Sequence, residues 1–256
     1  MPVRTDAELQ VTPKGQVLLM KNAQSIFDWF ATDEKQWAAQ RQPLTRDRLQ
    51  QITGIRRAAE LPPMERLMFL RKVDQPRPMM WEPEEDIHLP AVHWPEGDQV
   101  PVLITPTEGL NSALPAADKL RDAGHPVMIV DLRDLGETAT RNWRFPGADW
   151  YISYLLGRSF LAMRTEDILQ CAKWLAEHHK TPTVHLIAHG ETTTAAQHAA
   201  ALEPKLIDRL TLHGDLASWK TLMTDRRANR HLHTIHPRAL QHYDLPDLKQ
   251  LQAGEK

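Results

Sequence analysis

With 256 residues, the chain is long enough for one large α/β domain or two small ones. A hydrophobic fraction of 41%, a charged fraction of 25% and a net charge of −2 are ordinary for a globular protein. They argue against a basic nucleic-acid surface, and no Lys/Arg cluster stands beside stacking aromatics. No apolar run approaches the roughly 18 residues a membrane span needs.

The opening stretch, MPVRTDAELQ, lacks the apolar core of a signal peptide, and the sequence leaves the compartment unassigned. After an apolar patch at Val17-Leu18-Leu19-Met20, Asn22 is expected to cap a helix running to about Gln40, with Ile26, Trp29, Phe30 and Trp37 on helical spacing. A second helix is predicted from Leu44 through Ala59, with Thr45 as its N-cap. Pro62-Pro63 predicts a short helix over Met64–Arg71. Residues 1–76 therefore read as a helical N-terminal extension. Trp29, Trp37, Trp81 and Trp94 suggest aromatic packing of this layer onto a core.

The period then changes. Ile87, Leu89 and Ala91 alternate with polar residues as in a half-buried antiparallel strand, and Pro90 favours an edge or bulged position. A βα series follows. Val100–Ile104 predicts a strand, Thr105–Asn111 a loop, and Ala113–Ala123 a helix ending at Gly124. Pro126–Asp131 is the next buried strand, with Asp131 at the end where open α/β sheets place their sites. A long excursion, 132–148, holds Asp134, Arg141, Trp143 and Arg144. Helices are predicted over Asp149–Leu156 and Ser159–His178. Cys171, the single cysteine, cannot form an internal disulfide and reads as a buried thiol.

The most informative stretch is Thr183–Pro204, TVHLIAHGETTTAAQHAAALEP. It reads as a short buried strand, a tight turn and an Ala-rich helix stopped by Pro204. A last strand, Ile207–Leu212, ends at His213-Gly214-Asp215, a helix is expected from Ala217 to about Met223, and the tail is polar and His-rich. Alternating βα units imply an α/β fold with a mostly parallel sheet flanked by helices.

A strand, sharp turn and small-residue helix are the parts of a nucleophile elbow, G-x-S-x-G, here written A-H-G-E-T. With VPVLITPTEGL at 100–110, VMIVDLRDLGET at 127–138, YLLGRSFLAMR at 154–164 and LHGDLASWKTL at 212–222, the chain resembles the α/β-hydrolase superfamily, in its acetylxylan-esterase-like branch. The resemblance covers about 85–250 and makes 77–256 the hydrolase-like domain, lacking the last strands of the family plan.

The resemblance puts Gly190 at the nucleophile position, where it has no side chain to attack with. Glycine adopts the strained elbow backbone at little cost. Ala188 replaces the first glycine of the motif, and Thr192 replaces the last and is expected to crowd the strand–helix contact. The family's acid and histidine come from later loops; Asp215 is the candidate acid at an alternative position. The backbone oxyanion donors are expected at Glu191 and at Gly109 and Leu110, although the Glu191 side chain would repel an anion.

His189 reads as structural rather than as a base. The hydroxyls of Thr192, Thr193 and Thr194 lie past the turn, wrongly placed to attack. Asp131 and Asp134 are explained equally well by loop hydrogen bonding. His231, His233, His236 and His242 invite a metal reading, against a polar surface loop. No metal or cofactor is expected. The sequence thus points to a degenerate hydrolase-like domain acting in binding or assembly. The alternative is an active carboxylester or carbohydrate (acetylxylan-type) esterase with a non-standard or partner-completed site. The ligand is unknown, with an ester or carbohydrate as candidates, and an exposed sheet edge would favour a protein partner or self-association.

Overall fold

The computed structural model describes residues 3–10, 12, 14–63, 65–67, 77–140, 147–225 and 228–254. The N-terminal part holds α1 (Asp6–Leu9), α2 (Ile26–Gln40) and α3 (Arg46–Thr53). Ser25, not Asn22, caps α2: its hydroxyl accepts the Asp28 amide at 3.2 Å, and the Asp28 carboxylate accepts the Ser25 amide at 2.7 Å. Thr45 caps α3 as expected. That helix ends at Thr53 rather than at Ala59, because Gly54 takes a left-handed conformation at φ +68°. Ile55, just beyond it, is fully buried in the core.

Glu65–Leu67 form β1, a strand where the double proline had predicted a helix. The pairing partner decides it, since Arg66 lies opposite Trp81 of β2 (Arg77–Glu84). Next come β3 (Ile87–Trp94), β4 (Val102–Thr105), α4 (Leu110–Asp122), β5 (Val127–Val130), α5 (Ala148–Leu155), α6 (Phe160–His179), β6 (Val184–His189), α7 (Thr193–Leu202), β7 (Ile207–His213), α8 (Ala239–His242) and α9 (Leu245–Ala253). The sheet order is β1-β2-β3-β5-β4-β6-β7, with β5, β4, β6 and β7 parallel and the first three strands antiparallel.

Pro90 does not sit on an edge strand: β3 lies between β2 and β5. The ladder to β5 ends at Ala91 opposite Val130, so the missing proline N–H falls one residue past it. The bulge expected near Pro90 is present, on the facing strand between Trp81 and Glu84.

The parallel strands are buried on both faces. Val102, Ile104, Val127 and Ile129 pack with Ala113 and Ala117 of α4. Leu103, Met128 and Leu186 face α6 and α7. Five alanines of α7, at 195, 196 and 199–201, are almost fully buried, and their small side chains let α6 and the sheet approach closely. Trp81 and Trp94 belong to the sheet core, whereas Trp29 is 59% exposed, so α2 does not bury its aromatic stripe as expected. The tail is not merely a polar extension: Tyr243 and Leu245 are fully buried, and Leu248 nearly so.

Ion pairs tie the layers together. Arg133 meets Asp167 of α6 at 2.5 Å and Glu84 of β2 at 3.2 Å. Arg158 reaches Glu84 at 2.7 Å and Glu166 at 3.0 Å, and Arg56 reaches Glu166 at 2.6 Å. Cys171 is buried in α6, and burial pushes its thiol well above its ordinary pKa.

Candidate functional site

β6 runs directly into Gly190, which takes a left-handed φ of +55°, and a single 3₁₀ turn, Gly190–Thr192, leads into α7. The neighbouring β4 ends with Thr105 opposite Ala188, two residues before Gly190, so its following loop lies against this corner. From that loop, Thr107 Oγ1 donates to the His189 carbonyl at 2.6 Å and accepts the Glu191 amide at 2.9 Å. A Cβ on Gly190 would stand 2.8 Å from Thr107 Oγ1. The threonine hydroxyl thus occupies the space a side chain at residue 190 would enter.

Thr192 is knitted into the corner rather than crowding it. Its hydroxyl donates to the Thr105 carbonyl at 2.7 Å and accepts the His189 amide at 3.1 Å. Thr193 Oγ1 donates to the Gly190 carbonyl at 2.6 Å, so neither hydroxyl is paired with a base.

Gly109 and Leu110 begin α4 on the other side of the loop. A Cβ on Gly109 would lie 3.2 Å from Gly136 Cα and 3.7 Å from Asp131 Oδ2. The Leu110 amide faces the Asp131 carboxylate. Asp131 is fully buried at the end of β5; Oδ2 accepts the Glu137 amide at 2.9 Å, and Oδ1 has no hydrogen-bond partner among the described residues. Burial raises its pKa, against the opposing pull of the Glu137 and Leu110 amides.

Glu191 turns its carboxylate to Arg164, 3.5 Å away, so its charge is opposed rather than free to repel an anion. Arg164 is buried on α6, lies over Phe160 and donates to the Arg133 carbonyl at 3.0 Å. His189 stacks on His213 of β7, with centroids 4.7 Å apart, and burial followed by the charge of His213 lowers its pKa. Asp215 meets Lys249 of α9 at 3.5 Å rather than a histidine. It borders a cavity of about 460 Å³ lined also by Asp208, Arg209 and Gln197, which does not reach Gly190.

Of the tail histidines, His233 Nε2 meets Asp149 at 2.7 Å and Asp134 at 3.8 Å. These three converge with the spacing of metal ligands. Burial disfavours ionisation of Asp149, but the facing His233 outweighs it and lowers its pKa. His236 goes elsewhere, with Nδ1 3.1 Å from Ser159 Oγ, which also caps α6 by accepting the Ala162 amide. The four tail histidines therefore form no common ligand set among the described residues. Arg141, Trp143 and Arg144 lie outside the described residues.

No protein-family model and no curated protein matches the sequence. The structure is similar to that of a Bacteroides fragilis protein provisionally described as an acetyl xylan esterase, with a TM-score of 0.63 and 14% identity over 92% of this chain and 68% of that one. The chain has an α/β-hydrolase fold. Weaker likenesses are to acetyl xylan esterase 1 of Thermoanaerobacterium (TM-score 0.45, 14% identity, 84% of this chain and 74% of that one) and to a Pseudomonas aeruginosa protein described as a hydrolytic enzyme (0.37, 18%, 78% and 62%).

Sequence reasoning missed three participants in this α/β-hydrolase corner. Thr107 reads as an ordinary loop threonine, and nothing in its spacing ties it to residue 190. Arg164 reads as one more charge on a helix, although a charged residue on the apolar face of Leu161 and Ile168 was an available signal. The pairing of His233 with Asp149 spans 84 positions.

Proposed function

We propose that this chain is an α/β-hydrolase-like domain that acts in binding or assembly and does not cleave esters through a serine nucleophile. One observation carries the reading. The Thr107 hydroxyl fills the space beside Gly190 and engages the Glu191 amide, the donor that would have faced an oxyanion. Nucleophile and hole are lost together. An assembly role draws support from β7, which with β1 is an edge strand of the sheet among the described residues and whose edge can pair with a partner or a second copy. The proposed ligand class is an ester or carbohydrate held without cleavage.

The test is turnover of p-nitrophenyl acetate together with labelling by a fluorophosphonate probe, on the native chain and on Gly190→Ser. The reading expects both proteins to match buffer alone and to stay unlabelled. Native turnover that disappears on His189→Ala would overturn it.

A second reading, favoured by the likeness to the acetyl xylan esterase, is an active carboxylester or carbohydrate esterase completed by groups outside the corner. Labelling of the Gly190→Ser serine supports this reading over the first, because it requires a working base and oxyanion donors.

A further inference from the structure

At the other end of the sheet, three histidines from two elements meet. His93 lies on β3 opposite Met128, near the start of β5, and is almost fully buried. His178 and His179 close the last turn of α6, just before β6 begins. His93 Nε2 lies 3.1 Å from His179 Nε2, and one ring nitrogen from each of the three falls within 4.8 Å of the others.

We propose that His93, His178 and His179 form a binding site for a divalent transition-metal cation of the zinc class.

The geometry carries this. Zinc–imidazole bonds of about 2.0–2.1 Å in a tetrahedral shell place ligand nitrogens roughly 3.3 Å apart. The separation between His93 and His179 is already close to that. All three ring pairs meet edge to face, with centroids 4.9–5.3 Å apart and interplanar angles of 75–78°. These crossings keep the rings from stacking, and the nitrogens within 4.8 Å of one another supply the convergence.

The site is also held in place. His93 is fixed between β2 and β5. Trp174, one turn back on α6, stacks on His178 at 4.5 Å and meets His93 edge-on at 5.3 Å. The donor set is all imidazole, so it selects zinc, copper or nickel over magnesium or calcium. His178 is exposed, which leaves a coordination position facing solvent. A bound cation would clip the end of α6 to β3.

The experiment uses tag-free protein stripped with EDTA and then dialysed. Zn²⁺ binding is measured by calorimetry, and Cu²⁺ binding by quenching of tryptophan fluorescence, since Trp174 lies against a ligand. One equivalent is expected to bind with a Kd of about 10 μM or tighter. His178→Ala removes an exposed ring, so the fold survives it. Both it and His179→Ala are expected to weaken Zn²⁺ at least about tenfold, while His88→Ala, an exposed histidine elsewhere on β3, leaves the affinity unchanged. At about a hundredfold excess over Kd, Zn²⁺ raises the native Tm by roughly 5 °C or more, and that shift is lost in His178→Ala. Absence of saturable binding, or native affinity in either of the two variants, overturns the proposal.

Discussion

Thr107 Oγ1 accepts the amide proton of Glu191 at 2.9 Å across the corner between β6 and α7. The same hydroxyl lies where a side chain at residue 190 would begin. Residues 107 and 190 should therefore be energetically coupled. Thr107→Ala strands the half-buried Glu191 amide and leaves the His189 carbonyl only the Thr192 hydroxyl, 3.0 Å away, and is expected to cost about 1–2 kcal/mol. Gly190→Ala forces a side chain into a left-handed conformation and against Thr107, at about 2–3 kcal/mol. In the double variant the clash is gone. Its cost should fall short of the sum by about 1 kcal/mol, measured by guanidinium denaturation as a double-mutant cycle. Simple additivity would mean that Thr107 does not fill the corner.

The ion pair of Arg133 with Asp167 makes a separate prediction. Asp167 is fully buried, and the Arg133 side chain is 11% exposed. Removing Asp167 leaves the guanidinium with Glu84 alone, 3.2 Å away, in place of two carboxylates. Because Glu84 still opposes the charge, Asp167→Ala is expected to destabilise the fold by about 2–3 kcal/mol, the cost of a lost charge-assisted contact rather than of an orphaned ion. Replacing both residues by leucine should cost less than either single change to alanine, because the pair has already given up its hydration. Urea midpoints of the single and double variants check this, and a double variant less stable than both singles would refute it.

The corner was legible because its signals are local. Val184–Ala188 is a short apolar run, Gly190 punctuates it, and the alanines of α7 announce a tightly packed helix. β2 was not legible: RPMMWEPE carries two prolines and no alternation, and only pairing to β1 and β3 makes it a strand. At Glu65–Leu67 the helix expected over Met64–Arg71 gives way to a strand for the same reason, since a double proline is a local helix signal and the partner strand is distant; Met64 and 68–71 lie outside the described residues. Thr107, Arg164 and the histidines of β3 and α6 act through contacts between residues far apart in the chain. Periodicity reports which face a residue takes, not whom it meets there.

Acid should destabilise this protein in two steps, and His198 contributes to the first together with His185, whose pKa burial also lowers to about 4. The His198 ring is fully buried on α7. Its Nδ1 lies 2.6 Å from the Thr194 carbonyl, so Nδ1 must carry the proton, and Nε2 must accept from the Tyr243 hydroxyl at 2.7 Å. Burial lowers its pKa to about 4, against the pull of the Thr194 carbonyl. The unfolded ring titrates near 6.5. Between those values the unfolded chain binds a proton that the native chain refuses, so stability is full above about pH 6.5 and falls as the pH drops toward 4, by at most roughly 3 kcal/mol for this ring. The second step belongs to Glu84, whose pKa is lowered to about 2 by Arg158, with burial opposing and Arg133 assisting. Its contribution is present above the unfolded carboxylate pKa and is lost as the pH falls toward 2. Urea midpoints at pH 7, 6, 5, 4 and 3 resolve the two limbs. His198→Leu should make the limb between pH 6.5 and 4 shallower, leaving the share of His185, and should leave the lower one in place. Tyr243→Phe should cost about 1–2 kcal/mol at pH 7 by stranding Nε2. An upper limb that survives unchanged in His198→Leu would assign the proton uptake to another group.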